Sequence, residues 1–287
     1  MDTMDSRLEA KKHLANSEPL PKGVSLTRVV DISTSPSDPR ISFPFPAVTP
    51  FAHTLDRADL EQELGVIAKD GTFVTQELNV SSNPEGKCVV TAGVTLRLNY
   101  HAGTHADTPA HWGAEGQFGD RQYTGKAIIA DVRHLLTSGQ GIDERVIDEV
   151  VATLSRRVGR GTDYLATTRI LFRTTNDYDS GWTDTFAPFT KGGAKRLMGN
   201  LPGLVLVGTD APSIDAPKAS PIIDHAHGVF YGEGVALLEG LRFDGLGTNR
   251  AYHKGTLQTV WNPLMSGPDA KGAICLYHPK ETVKLGK

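Results

Sequence analysis

The segment His101–Trp112 reads His-Ala-Gly-Thr-His-Ala-Asp-Thr-Pro-Ala-His-Trp, and the rest of the chain is interpreted around it. It places His101, His105, Asp107 and His111 within a short stretch of chain. Neutral imidazole nitrogens and carboxylate oxygens are ligands that zinc and similar divalent cations prefer. The cluster therefore predicts a metal site.

The residues around this cluster indicate the type of secondary structure on which it lies. His101 and His105 are four positions apart, which on a helix would place both rings on one face. Gly103 and Pro109 disfavour a helix here, and the preceding Val94–Tyr100 alternates apolar and polar residues as a strand does. We therefore predict that the cluster lies on a loop leaving a strand, with the backbone turning at the glycine.

The composition excludes several classes of protein. In 287 residues, 39% hydrophobic and 22% charged residues are typical of a soluble globular protein. The net charge of −3 gives no indication of a nucleic-acid or membrane-surface partner, and no apolar run is long enough to span a bilayer. The first twenty residues have no apolar signal region, so we expect a cytoplasmic protein. Cys88 and Cys275 fit buried thiols in a reducing compartment, with a single disulfide as the alternative.

The order of predicted elements favours one α/β domain, in which a mixed sheet is flanked by helices. Residues 1–22 form a polar N-terminal arm that is either loosely attached or clamped on a neighbouring subunit, and residues 23–287 form the domain. The predicted strands are 26–33, 72–80, 89–100, 126–132, 169–174, 203–208 and 235–239, and the predicted helices are 6–15, 55–69, 144–154 and 190–198.

A second group of polar residues follows the predicted buried strand Gly203–Gly208. Asp210 and Ser213 come directly after it, where they would line a cleft. Further on, His225 or His227 together with Glu239 could complete a second metal position. On the residues alone the alternative stays open that the carboxylate caps a loop and both imidazoles are solvated.

The segment Ser35–Pro50 combines several prolines with Phe43 and Phe45. Proline fixes the backbone and phenylalanine supplies flat apolar surface, so this loop is predicted to wall an aromatic substrate pocket. The alternative is that its prolines only stiffen a surface crossing.

The pattern His-x-Gly-Thr-His-x-Asp-x-Pro-x-His resembles the signature of the cyclase family of metal-dependent hydrolases, which includes kynurenine formamidases and isatin hydrolases. The resemblance extends over nearly the whole predicted core and implies the family's fold, a swivelling β/β/α-like arrangement. The matching segments are Val30–Ser33, the central motif, Phe172–Thr174, Val207–Asp215, and the spacing from His227 to Glu239–Leu241.

This resemblance implies roles for individual residues. His101, His105 and Asp107 correspond to ligands of a first metal, and Asp107 would bridge to a second metal held also by His227 and Glu239. The family's metal is zinc or manganese, and one or two ions are bound. The position of His111 corresponds to the family's catalytic histidine. The family also suggests a homodimer or a higher homo-oligomer.

The chain departs from the typical formamidase pattern in two respects. It is longer at both ends and in the 50–90 region, and it carries Phe43 and Phe45 where formamidases tend to present a tryptophan beside proline. These differences do not change the predicted fold, but they leave the identity of the substrate undetermined.

The predicted chemistry is hydrolysis of an amide C–N bond. A divalent ion with an open position lowers the pKa of water to about 7, and the imidazole of His111 can carry the proton to the leaving nitrogen. The alternative is that His111 is a fourth metal ligand. Asp210 and Ser213 are predicted to orient the ligand histidines.

The small-molecule substrate is then an aryl formamide such as N-formylkynurenine, with a role in tryptophan catabolism, or a cyclic amide such as isatin. One alternative function is a lactonase or polyketide-cyclase-type enzyme of secondary metabolism that uses the same site. The other is a structural metal-binding protein without catalysis.

Overall fold

The described part of the chain forms a main sheet of eight strands and a separate sheet of two strands. The structure is a computed structural model. It describes Lys11 and residues 30–31, 73–82, 88–97, 101, 103–112, 116–137, 139–157, 163–175, 186–216, 225–246, 251–267 and 270–280.

The ten strands of the described residues are β1 Val30–Asp31, β2 Phe73–Ser82, β3 Cys88–Arg97, β4 His105–Asp107, β5 Gly125–Asp131, β6 Arg169–Arg173, β7 Leu206–Thr209, β8 Ala236–Leu238, β9 Tyr252–Ser266 and β10 Ala270–Pro279. The order of strands in the main sheet is β1-β10-β9-β5-β6-β7-β8, and β4 pairs with β10 outside this path. The α-helices of the described residues are α1 Glu144–Arg157, α2 Lys191–Asn200 and α3 Ala226–Gly232. Four short 3-10 helices span Pro109–Trp112, Asp120–Gln122, Arg133–Leu135 and Asp163–Ala166.

Strand direction divides the main sheet into two parts. Strands β5, β6, β7 and β8 run parallel to one another, whereas β9, β10, β1 and β4 pair antiparallel. An isolated bridge between His105 and Glu239 joins β4 to the residue that follows β8. Because β4 also pairs with β10, this bridge brings the two ends of the sheet together, so the sheet is nearly barrel-shaped.

Both faces of the parallel strands are buried, as their apolar sequences require. On β6, Ile170 and Phe172 pack into one core cluster while Leu171 packs into the other, since successive side chains point to opposite faces of a strand. The first cluster is covered by the helices. Helix α1 contributes Val146, Ile147, Val150 and Leu154, which form one apolar stripe.

Each of the two longer helices, α1 and α2, begins at a side chain that caps its N-terminus. The Asp143 carboxylate accepts a hydrogen bond from the Val146 backbone N–H at 2.9 Å, and the Thr190 hydroxyl accepts one from Gly193 at 2.9 Å. Such caps typically stabilise a helix by about 1 kcal/mol. No helix in the described residues has the length and apolarity needed to cross a membrane.

The predicted α/β class, the mixed sheet and the flanking helices are confirmed. Predicted strands 72–80 and 89–100 are the antiparallel pair β2 and β3, which forms its own two-stranded sheet. Only Val30–Asp31 of predicted strand 26–33, and only Lys11 of predicted helix 6–15, are described; predicted helix 55–69 lies outside the described residues.

Three expectations about local structure were wrong. The predicted loop is in part a strand, because the backbone of His105–Asp107 pairs with β10. The predicted strand 203–208 begins later, at Leu206, because a turn occupies Pro202 and Gly203. The predicted strand 235–239 is shorter, since β8 spans only Ala236–Leu238 and Glu239 forms an isolated bridge.

Candidate metal centre

Strand β4 positions two of the predicted ligands on one side. His105 and Asp107 are two residues apart, so both side chains leave the same face of the strand. The Gly103 carbonyl lies 3.0 Å from Nδ1 of His105, and this contact leaves Nε2 directed at the cluster. Gly103 itself has φ of 69°, a conformation that glycine adopts readily, and it brings His101 back toward the strand.

Glu239 reaches the cluster from the end of β8. Its backbone N–H donates to the His105 carbonyl at 2.9 Å, and its carbonyl accepts from the His105 N–H at 3.1 Å. Its Oε1 accepts a hydrogen bond from the Ile214 N–H at 2.7 Å. The following residue, Gly240, has φ of 63°, and a Cβ there would lie 2.5 Å from the Gly103 carbonyl oxygen, so this junction requires glycine.

His227 is supplied by the short helix α3. The helix is anchored by the buried side chains of Ala226, Phe230 and Tyr231. Nε2 of His227 lies 2.9 Å from Oδ2 of Asp107 and 3.4 Å from Oε1 of Glu239. The five predicted ligands therefore converge, although they come from three separate parts of the chain.

One carboxylate oxygen at the centre of the cluster is unsatisfied. Oδ1 of Asp107 is buried and makes no hydrogen bond, yet it lies 3.0 Å from Nδ1 of His101 and 3.3 Å from Nε2 of His105. A buried, unsatisfied polar atom is costly and needs a physical explanation. A divalent cation fits this donor set, because it would accept electron pairs from the carboxylate and from both imidazoles.

Where the structure describes the chain, two groups of side chains have potential ligand atoms within 4.8 Å of one another. One is His101, Asp107 and His111, and the other is His105, Asp107 and Glu239. Asp107 belongs to both groups, which is the arrangement that a bridging carboxylate would have.

The buried charges shift the pKa values of the cluster. Burial alone would lower the pKa of His105, but the carboxylates of Asp107 and Glu239 outweigh burial and raise the pKa to about 10. The pKa of His227 is raised for the same reason by Asp107, Asp215 and Glu239. Burial opposes ionisation of Asp107 as well, but the surrounding imidazoles of His101, His105 and His227 outweigh burial and hold its pKa well below the usual range.

His111 lies at the edge of the cluster rather than inside it. Its Nε2 is 3.9 Å from Oδ2 of Asp107, and 33% of its side chain is exposed. Its ring centroid lies 4.6 Å from that of His101 and 5.7 Å from that of His227. Burial, the largest influence, lowers its pKa, which favours the neutral imidazole near pH 7.

Asp210 and Ser213, which are predicted to orient the ligand histidines, have other partners in the described contacts. In the described contacts the Asp210 carboxylate accepts hydrogen bonds from Thr174 and Thr175, so it fixes the chain after β6. The Ser213 hydroxyl accepts from the Asp215 N–H at 3.2 Å. The predicted pocket residues Phe43 and Phe45 lie outside the described residues.

The orienting carboxylate is Asp215, which sequence reasoning missed. Its Oδ2 lies 2.5 Å from Nδ1 of His227 and 2.9 Å from Nδ1 of His225, and its Oδ1 accepts the Ala226 N–H at 2.7 Å. His225 thus shares this carboxylate and does not replace His227 in the cluster. The one indication of this role in the sequence is that Asp215 lies in the polar segment after β7. The spacing along the chain does not link Asp215 to a particular histidine.

Comparison with known proteins agrees with this geometry. A family model described as "Putative cyclase" matches residues 19–216. Over 153 residues the chain is 31% identical to a kynurenine formamidase of Salinibacter ruber, a match that covers 51% of this chain and 63% of the relative. The chain thus spans less than two thirds of the curated relatives that it matches.

Two solved structures share the fold. Isatin hydrolase A from Ralstonia solanacearum superposes with a TM-score of 0.53 at 16% identity, over 91% of this chain and 98% of that chain. A crystal structure described as a novel cyclase superposes with a TM-score of 0.57 at 12% identity, over 93% and 94% respectively. The family match over most of the chain, together with this shared fold, establishes that the protein belongs to the cyclase family.

Proposed function

We propose that the protein is a metal-dependent hydrolase of amide C–N bonds, acting on an aryl formamide such as N-formylkynurenine or a cyclic amide such as isatin. The observation that carries this proposal is the buried Asp107 Oδ1, unsatisfied within about hydrogen-bond distance of two imidazole nitrogens. The related kynurenine formamidase and isatin hydrolase are both named for hydrolysis of an amide, which supports a C–N bond as the bond that is cleaved.

The ligands that we propose are His101, His105 and Asp107 for one ion, and Asp107, His227 and Glu239 for a second. Asp107 is common to both groups of potential ligands in the structure, which supports a bridging role for this residue. The division of the remaining ligands between the two ions follows the family resemblance, since those groups pair His101 with His111 and His105 with Glu239. The ligand types suit zinc or manganese. When bound, such an ion lowers the pKa of water and polarises a carbonyl group.

His111 supplies the proton transfer in this proposal. A general base must be neutral before it acts, and burial lowers the pKa of His111 in that direction. Its partial exposure at the edge of the cluster leaves Nε2 open to a substrate, unlike the buried imidazoles of His105 and His227. Nε2 would take a proton from water and deliver it to the leaving nitrogen.

Asp215 has a positioning role in the same scheme. It holds Nδ1 of His227, so that Nε2 faces Asp107 and Glu239. A carboxylate behind a ligand histidine fixes the tautomer and the orientation of the ring.

The test is a substrate panel on protein loaded with zinc or with manganese, using N-formylkynurenine, isatin and an aryl lactone. We expect turnover of at least one of the two amides and its loss in Asp107→Ala. Turnover of the lactone alone would replace the amide hydrolase by a lactonase. Full amide turnover in Asp107→Ala would remove the cluster from the mechanism.

A further inference from the structure

A cavity of about 160 Å³ lies behind β4, on the side away from the metal ligands. Side chains alternate along this strand, so His105 and Asp107 face the cluster whereas Ala106 faces the cavity. Among the described residues that line it, none is a proposed metal ligand. The cavity is therefore separate from the metal centre, although both share the strand.

Aromatic rings form the inner wall of this cavity. Phe118, Tyr123 and Trp261 all line it. Tyr123 and Trp261 meet edge to face, with centroids 4.7 Å apart, and Phe118 and Tyr123 do the same at 6.5 Å. The indole N–H of Trp261 donates to Oδ1 of Asp120 at 2.9 Å, which fixes the ring in place. These rings offer faces and edges against which another aromatic ring can pack.

Among the described residues, one cationic side chain lines the cavity. Lys271 lines it, and its Nζ lies 5.9 Å from the centroid of the Trp261 ring. Strand pairing places Lys271 directly opposite Ala106, on the wall shared with β4. In the part of the chain that the structure describes, no carboxylate forms an ion pair with this ammonium group. An anionic group that entered the cavity would therefore find a cation not already paired.

The volume of the cavity restricts the size of the ligand that can bind there. An engineered cavity of about 150 Å³ in another protein holds one benzene molecule, so the cavity behind β4 has room for a single ring with a small substituent. We propose that this cavity is a second small-molecule site that takes a monocyclic aryl carboxylate, with the ring among the three aromatic side chains and the carboxylate on Lys271. The proposal does not depend on the hydrolase function.

Benzoate is the probe that tests this site. The experiment is calorimetric titration of the full chain after treatment with a chelator, so that a metal ion cannot bind the carboxylate. We expect one molecule of benzoate per chain, with a Kd on the order of 0.1–1 mM for so small a ligand. Acetate lacks the ring and benzamide lacks the charge, so both should bind at least about tenfold more weakly.

Three variants locate the binding. Lys271→Gln removes the charge and should weaken benzoate about tenfold, whereas Lys126→Gln, an exposed lysine on β5, should leave it unchanged. Asp107→Asn should also leave it unchanged, because this carboxylate faces the other side of β4. The proposal would be overturned if Lys271→Gln bound benzoate as tightly as the unchanged protein does, or if benzamide bound as tightly as benzoate. Loss of benzoate binding in Asp107→Asn would also overturn it. Failure of the hydrolase assay would not affect these results, since they are obtained without metal.

Discussion

His105 and Glu239 are held together twice, once through the backbone and once through their side chains. Their peptide groups exchange two hydrogen bonds of 2.9 and 3.1 Å, and Nε2 of His105 lies 3.2 Å from Oε2 of Glu239. The bridge that draws the sheet toward closure is thus formed by two proposed ligands. Because the fold itself fixes this pair, the ligand side chains need little rearrangement to hold an ion.

The first prediction separates the backbone part of this pair from its side-chain part. In Glu239→Gln the backbone bridge remains, so the circular dichroism spectrum should match that of the unchanged protein. The lost ligand charge should lower metal affinity by about 10- to 100-fold. Competition with a chromogenic chelator measures the affinity. The matched control is Glu149→Gln on the exposed face of α1, and unchanged metal affinity in Glu239→Gln would remove this residue from the ligand set.

The second prediction concerns the orienting carboxylate. Asp215→Asn should weaken metal binding by about tenfold or more while leaving the ligands in place, because an amide cannot hold the His227 imidazole as a carboxylate does. Asp148→Asn changes the same chemical group on the exposed face of α1, where the carboxylate pairs with Arg196, so metal affinity should not change. If the two variants lose affinity equally, the positioning role assigned to Asp215 is wrong.

The third prediction concerns His111. His111→Ala should retain the metal content of the unchanged protein and lose about 10²- to 10⁴-fold in kcat, the usual contribution of a general acid or base. Elemental analysis and steady-state kinetics on the same preparation measure both. Loss of metal together with activity would instead make His111 a ligand, as its place in the group with His101 and Asp107 permits.

The fourth prediction is a pH dependence of the metal-free protein. The pKa of His105 is about 10 in the folded state and 6.5 ordinarily, so the folded state binds its proton more tightly than the unfolded state does. The stabilisation that this provides is complete below pH 6.5 and is lost as the pH rises through 10.

Denaturant unfolding in the presence of a chelator measures this effect. Between pH 6.5 and pH 9.5 the free energy of unfolding should fall by an amount on the order of 1–3 kcal/mol more than in His105→Gln, which has no proton to lose there. Parallel curves for the two proteins across this range would show that the buried carboxylates do not hold a proton on His105.

The sequence predicted the cluster well because its residues are mostly close together in the chain. His101, His105 and Asp107 lie within one short segment. The strands β5 and β6 follow from short continuous apolar runs, and α1 follows from the helical spacing of its apolar residues. The local sequence specifies these elements, so it was sufficient to predict them.

The remaining elements depend on contacts that local sequence does not specify. Helix α3 has only seven residues, including glycines at its third and last positions, and it is stabilised by burying Phe230 and Tyr231 rather than by helix propensity. Strand β9 contains Gly255 and Pro263, which obscure its alternation, so the long hairpin with β10 was not predicted. Asp215 was missed for the same reason, because its partner His227 reaches it only through the fold.

The most direct test of the central claim is the metal content of the purified protein, measured by elemental analysis after dialysis against zinc or manganese and removal of unbound ions. We expect up to two equivalents per chain in the unchanged protein and close to none in Asp107→Ala, because the Asp107 side chain lies in both groups of potential ligands. A chain that retains no metal after loading, or an Asp107→Ala variant that retains as much as the unchanged protein, would contradict the assignment of this cluster as a metal centre.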